Sequence, residues 1–354
     1  MIDRRSSPVT RKFVPEHEAR RHLIDGYDDH PSIPPAVVDQ WKAPFGPAEE
    51  WDLSITDMEL PGPHGPVPVR VYTPSGPVPE RGRACLVWMH GGAFAWGDLD
   101  MAEAHEVSRG VAGRADAVVI SVDYRLCPVP PELNGAIDGR VDELGQPVRF
   151  PVPQDDCAAV RDDVRADAAR FGIDPARIAI GGASAGASLA ASATLRAARA
   201  GRAPWQTLLV YPFLHPELPA PDDELAEALA AVPSALEIPQ WMHDAIQRTN
   251  LGDVNRPREE DFTPGISDSL GLFPPTYVEN CEFDALRSSG QLFSEQLRAA
   301  GVDVVESMRA GVPHGHLDLV GFRPAADTLD ALADRLRETP AQADVSSGLR
   351  EARS

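Results

Sequence analysis

The chain has 354 residues, enough for one large catalytic domain with a lid or for two ordinary domains. Hydrophobic residues make up 43% and charged residues 25%, which suits a folded soluble chain and excludes wholesale disorder. A formal net charge of −21 opposes nucleic acid as a partner, and no basic amphipathic stretch suits an anionic membrane.

The N-terminus, MIDRRSSPVTRKF, is positively charged, but no apolar run follows it. No secretory signal is read there, no run reaches membrane-spanning length, and a cytoplasmic location is the expectation. Residues 1–50 are polar, rich in His and Pro, with one short helical pattern around Ala36 to Trp41. They read as a peripheral segment. Strand signals follow at Leu53, Ile55, Met58 and Leu60, then at Val67, Val69 and Val71, with the turn PGPHGP between them.

From residue 84 the rhythm becomes strand, helix, strand. ACLVWMH (84–90) and AVVISVDY (117–124) are apolar runs of the buried, parallel-sheet kind, with a helix over 101–113 between them. A helical pattern spans Gln154 to Phe171, RIAIGG (177–182) is a buried strand, and Ser184 to Ala200 is an alanine-rich helix. TLLVYP (207–212), PTYVENCE (275–282) and DVVESM (303–308) are further strands, with helices at 288–300 and 324–337. This alternation implies an α/β fold with a mostly parallel central sheet flanked by helices.

Two stretches interrupt it. Residues 213–265 hold helical patterns at 223–231 and 238–250 and are too long for a plain connection, so they read as an inserted cap. Residues 128–153 form a Pro- and Gly-rich loop that either decorates the surface or shapes a pocket. The expected organisation is a catalytic domain over 51–212 and 266–340, cap segments over 1–50 and 213–265, and a frayed tail over 341–354. Cys85, Cys127, Cys157 and Cys281 form no CxxC pair and read as buried reduced thiols, so neither zinc nor any other metal or cofactor is implied.

The chemistry concentrates at strand ends. RIAIGG runs into Gly182-Ala183-Ser184-Ala185-Gly186 and then a helix, the strand–turn–helix setting of a G-x-S-x-G nucleophile elbow. The turn pushes the Ser184 hydroxyl above the sheet, and the two glycines leave room for it. The following helix aims its first amides where negative charge develops. His90-Gly91-Gly92-Ala93-Phe94 ends an earlier strand. The amides of Gly91 and Gly92, with that of Ala185, are expected to form an oxyanion hole, and His90 is read as a structural residue of its loop. A serine nucleophile needs a base and an orienting acid. His314 and His316 follow the strand at 303–308, and Glu282 and Asp284 follow the strand before it. His215 and His243 read as ordinary surface or cap residues.

These segments resemble the bacterial hormone-sensitive-lipase-like esterases of the α/β-hydrolase superfamily over roughly residues 53–337. His90–Phe94 with Gly97-Asp98-Leu99-Asp100, Asp123–Pro128, Gly182–Gly186, Glu282–Arg287 and His314-Gly315 carry the likeness. The resemblance implies the acid is Asp284 and the base His314, 30 residues apart, with no cofactor. It also implies a cap built from residues 1–50 and 213–265. Trp41, Trp241 and Met242 would then face the acyl pocket or pack the cap's own core, with Phe94 and His316 beside the substrate. Ala93, Ala183, Ala285 and His316 depart from the family's usual Gly, polar, Pro and aromatic residues. Relatives often pair through an edge strand and the last helix, so a homodimer is an expectation. The activity implied is hydrolysis of a small-molecule carboxylic ester of short or medium chain. An amidase, lactonase or deacetylase with the same triad, or a non-catalytic binding relative, are the alternatives.

Overall fold

The computed structural model describes residues 12–133, 141, 145–252 and 259–339. The tail read at 341–354 lies outside the described residues, as do parts of the loop at 128–153 and of the insertion at 213–265. The strands are β1 (Leu53–Leu60), β2 (Val67–Pro74), β3 (Arg83–Met89), β4 (Val118–Val122), β5 (Ile173–Ala183), β6 (Thr207–Val210), β7 (Thr276–Phe283) and β8 (Val304–Pro313). They form one sheet in the order β1-β2-β4-β3-β5-β6-β7-β8. β1 and β2 run antiparallel at one edge, and the pairs from β4 onward are parallel. β8 runs five residues past the end expected from sequence, which carries it directly to His314.

The apolar runs form central strands because both faces of the sheet are covered. Every residue of β3 is buried. Cys85, Val87 and Met89 enter one core, while Ala84, Leu86 and Trp88 enter the other. Val87 lies opposite Ile120 of β4 and Ile180 of β5. Burying such a side chain contributes roughly 1.5–3 kcal/mol. The first core is closed by α4 (Val152–Ala166), α5 (Ala185–Arg199) and α8 (Arg287–Ala299), and the second by α3 (Ala102–Ala115) and α9 (Arg323–Arg337). The alanines of α5 are buried, and their small side chains let its axis sit close to the sheet. All four cysteines are buried thiols. Among the described residues no helix is long and apolar enough to cross a membrane.

Two further segments cover the ends of the parallel strands. The first holds α1 (Pro15–Arg20) and α2 (Pro35–Trp41); the second holds α6 (Asp223–Leu229) and α7 (Gln240–Leu251). They pack on each other: Ile24, Ile33 and Trp41 cluster with Ala235, and Phe13 clusters with Ala228, Val232 and Phe283. The N-terminal segment is therefore not peripheral, as its polar composition suggested. Its sparse apolar residues are the ones it buries, together with His17.

The backbones approach closely where α5 meets β3. A Cβ on Gly186 would collide with the carbonyl oxygens of Met89 and His90, which are backbone and cannot swing away. Gly186→Ala is expected to lower unfolding stability by about 3 kcal/mol, at the upper end of overpacking costs. The midpoint of a urea titration measures it.

Candidate active site

Four strand ends supply the site. β5 ends at Ala183 and turns at Ser184, whose backbone is held at φ 54, ψ −120. A non-glycine residue in such a conformation stores strain, and the neighbours must enforce it. Here the Ser184 N–H donates to the Val210 carbonyl of β6 at 3.0 Å. The hydroxyl thereby stands above the sheet at the start of α5.

β7 ends at Phe283 and presents Asp284, which is buried. One of its oxygens accepts the Leu286 N–H at 2.9 Å. The other accepts the His314 Nδ1–H at 2.7 Å, and the Ser184 Oγ–H donates to His314 Nε2 at 2.9 Å. Ser184, His314 and Asp284 thus form one hydrogen-bonded chain. Glu282, the other carboxylate considered, instead accepts the Gly311 N–H at 2.8 Å and ties β7 to β8. Burial pushes the His314 imidazole down, but the charge and hydrogen bond of Asp284 push it up, and the net position lies above 6.5.

β3 ends at Met89 and leads into the His90–Phe94 loop. His90 is fully buried, stacks on Tyr124 at 4.6 Å, and donates from Nδ1 to the Gly91 carbonyl at 2.7 Å. Tyr124 Oη–H also reaches the His90 carbonyl at 2.8 Å. Fixing the Gly91 carbonyl on that side turns the N–H of Gly92 the opposite way, because the peptide is trans. Gly92 and Ala93, with Ala185, border a cavity of about 700 Å³ beside Ser184 and His314. Gly91 corrects the sequence reading: its N–H donates to the Glu103 carboxylate at 2.5 Å, and Gly91 does not border the cavity. Gly92 at φ 102 is required, since a Cβ there would strike the Trp96 carbonyl. Ala93 and Phe94 also take positive φ, 50 and 64, a strain that sequence alone does not reveal.

The cavity is mostly apolar with a few polar groups, the make-up of a small-molecule site. Phe94, Trp41 and Met242 border it, as does the buried His316. The ring of His316 is engaged away from any ligand, with Nδ1 3.3 Å from Cys281 Sγ and Nε2 2.9 Å from Thr328 Oγ1. Trp241 does not border the cavity; it is 42% exposed on the outer side of α7, one residue from Met242. His215 and His243 are not surface residues. Both are buried, and His243 borders the cavity against Phe213, where burial lowers its pKa to about 4. His17 is likewise buried at the cavity, stacked 5.2 Å from Trp41, and burial then the Arg20 charge lower it to about 4. Both imidazoles are neutral near pH 7, so neither adds a charge to the wall. Sequence gave no sign of this, because a cap histidine has no motif.

At the rim, Lys42 after α2 pairs with Asp318 after β8 at 2.6 Å, joining the N-terminal segment to the loop that carries His314. Among the described residues no cluster of three or more His, Cys, Asp or Glu suits a metal ion.

Comparison with known proteins bears on the fold and the family. A family model described as the alpha/beta hydrolase fold matches residues 86–138 and 146–318. The chain is 31% identical over 323 residues to Esterase LipI of Mycobacterium tuberculosis, covering 90% of each chain. It is 33% identical over 261 residues to Carboxylesterase NlhH of the same organism, covering 73% of this chain and 74% of that protein. Among solved structures it is similar to EstE1, a thermophilic carboxylesterase cloned from a metagenomic library. That match has TM-score 0.69 and 28% identity, over 82% of this chain and 90% of the other. It is also similar to a hyperthermophilic esterase from Pyrobaculum calidifontis, with TM-score 0.67 and 27% identity, over 80% and 85% of the two chains.

An imidazole that must accept the Ser184 proton works only when neutral. Any activity carried by this site is expected to rise with pH through an ionisation above 6.5, read as the acidic limb of a kcat/KM profile.

Proposed function

The chain belongs to the α/β-hydrolase family as a hormone-sensitive-lipase-like member, and we propose that it is a serine carboxylesterase acting through an acyl-enzyme on Ser184. The observation that carries this is the unbroken chain from Ser184 Oγ through both nitrogens of His314 to Asp284 at the wall of an apolar cavity. The esterases and carboxylesterases matched above support the bond cleaved.

His314 takes the Ser184 proton as Oγ attacks the ester carbonyl. Asp284 holds the imidazole with Nδ1 protonated and stabilises its charge. The N–H groups of Gly92, Ala93 and Ala185 face the developing oxyanion, each worth about 2.7–4 kcal/mol if typical of such donors. This is one residue further along the loop than the sequence suggested. His314 then gives its proton to the leaving alcohol, and a water molecule repeats the sequence on the acyl-enzyme. Residues 12–50, 213–252 and 259–265 act as a cap. Phe94, Phe213, Met242 and Ile246 offer the apolar wall for the acyl group. The cavity is roomy enough for acyl groups well beyond acetyl, so medium chains are the proposed preference.

The decisive experiment is a chain-length series of p-nitrophenyl esters beside matched anilides and lactones. Turnover of esters with an optimum between about four and eight acyl carbons is expected for a pocket of this kind. Ser184→Ala is expected to abolish turnover and labelling by a fluorophosphonate probe without changing the circular dichroism spectrum. Asp284→Asn is expected to lower kcat by about 10⁴-fold, the loss typical when the base takes the wrong tautomer. Unchanged turnover in Ser184→Ala would refute the assignment.

A further inference from the structure

Resting on that esterase reading, we infer that Glu103 is a positioning residue, tying the oxyanion loop to the wall against which His314 stands. Glu103 lies in the first turn of α3 and is 4% exposed, an unusual place for a carboxyl group. Both of its oxygens are engaged. Oε2 accepts the Gly91 N–H at 2.5 Å, and Oε1 accepts the Tyr211 Oη–H at 2.5 Å. Its own carbonyl accepts the Trp88 indole N–H at 2.9 Å, so α3 is pinned to β3 at this point.

The two partners of the carboxyl group are what give it a role. Gly91 is the residue before the proposed oxyanion donors Gly92 and Ala93. A Cβ placed on Gly91 would run into the Glu103 carboxylate while standing 3.1 Å from Ser184 Cβ, so the carboxylate lies directly behind the nucleophile. Tyr211, fully buried and held at φ 38, presents its ring edge-on to His314 with centroids 4.8 Å apart. Glu103 is thus bonded at once to the loop that binds the oxyanion and to the ring that backs the base. Glu103 borders the cavity, but both of its carboxyl oxygens are already taken by Gly91 and Tyr211.

A purely architectural role would predict something different. Burying a carboxyl group is costly, and here burial and the facing charge of Asp318 push its pKa up, against the two hydrogen bonds and the charge of His314. Replacing it by methionine removes that cost but leaves the buried Gly91 N–H and Tyr211 Oη–H without an acceptor. If Glu103 served only packing, Glu103→Met would cost nothing in rate. If it positions the loop, the same variant loses turnover in a chain that still folds, because displacing reacting groups by about 1 Å costs on the order of 10²-fold.

The test measures steady-state hydrolysis of p-nitrophenyl butyrate and binding of an aryl trifluoromethyl ketone, whose hemiketal with Ser184 mimics the tetrahedral oxyanion. Wild type, Glu103→Met, Glu103→Gln and Tyr211→Phe are compared, with melting temperatures. Glu103→Met is expected to lose about 100-fold in kcat and in ketone affinity with KM nearly unchanged, in a chain that still melts cooperatively above the assay temperature. Glu103→Gln, which can still accept from Gly91 and donate to Tyr211, is expected to recover most of the loss. Tyr211→Phe deletes one hydrogen bond with little change in volume and is expected to lose about 10-fold in kcat. Wild-type kcat and ketone affinity in Glu103→Met overturn the inference; should that variant not fold, wild-type kcat in Tyr211→Phe overturns it instead. An inert wild-type protein defeats the esterase reading itself, and the positioning role with it.

Discussion

The close approach of the start of α5 to the end of β3 governs the site. Gly182 and Gly186 leave no side chain between the Ser184 turn and the carbonyls of Met89 and His90. With that contact made, the nucleophile and the loop bearing Gly92 and Ala93 become neighbours without any further adjustment. The hydrogen bond from Ser184 to Val210 then locks the strained turn from the other side. The strain is tolerable because it is paid for by the sheet, whose central strands have almost no exposed residue.

Most of the architecture was legible in the sequence because it depends on local pattern. The continuous apolar runs at 84–89 and 118–122 could belong only to strands covered on both faces, and the glycine spacing around Ser184 has few other uses. The triad residues could be narrowed by position to two acids and two bases, and the resemblance chose between them. What stayed hidden depends on direction rather than spacing. Nothing in HGGAF says which amide turns inward; that follows from the Gly91 carbonyl being captured by His90 and Tyr124 and the Gly91 N–H by Glu103. Trp241 and Met242 point about 100° apart on one helix, and a single turn of sequence does not say which of them faces the cavity. Glu103 shows no motif because its role is defined by partners 12 and 108 residues away.

A buried polar network stiffens the opposite wall. Glu279, fully buried in β7, accepts Arg309 of β8 at 2.6 Å, Tyr277 at 2.7 Å and Thr328 of α9 at 2.5 Å. Thr328 in turn meets His316, two residues beyond His314. A buried pair of this kind contributes little net stability but is costly to break. Its geometric effect is to bind three elements to the loop that carries the base. Its placement also accounts for a second imidazole so near the first without a share in proton transfer.

The cavity roof is assembled from two stretches nearly two hundred positions apart, meeting through Ile24, Ile33, Trp41 and Ala235. The earlier stretch has nothing to lean on until the later one has emerged and the sheet beneath both is complete. Such non-local closure is expected to be slow, because loop entropy must be lost before the contacts form. It also leaves the roof secured by small clusters, the Lys42–Asp318 bridge and a narrow contact of Val14 and Phe45 with the sheet core. In amide hydrogen exchange, the helices around Pro15–Trp41 should therefore open in a sub-global step well below the energy that melts β3 and β5. An opening of that kind would uncover the cavity while leaving the hydrogen-bonded Ser184, His314 and Asp284 beneath it in place.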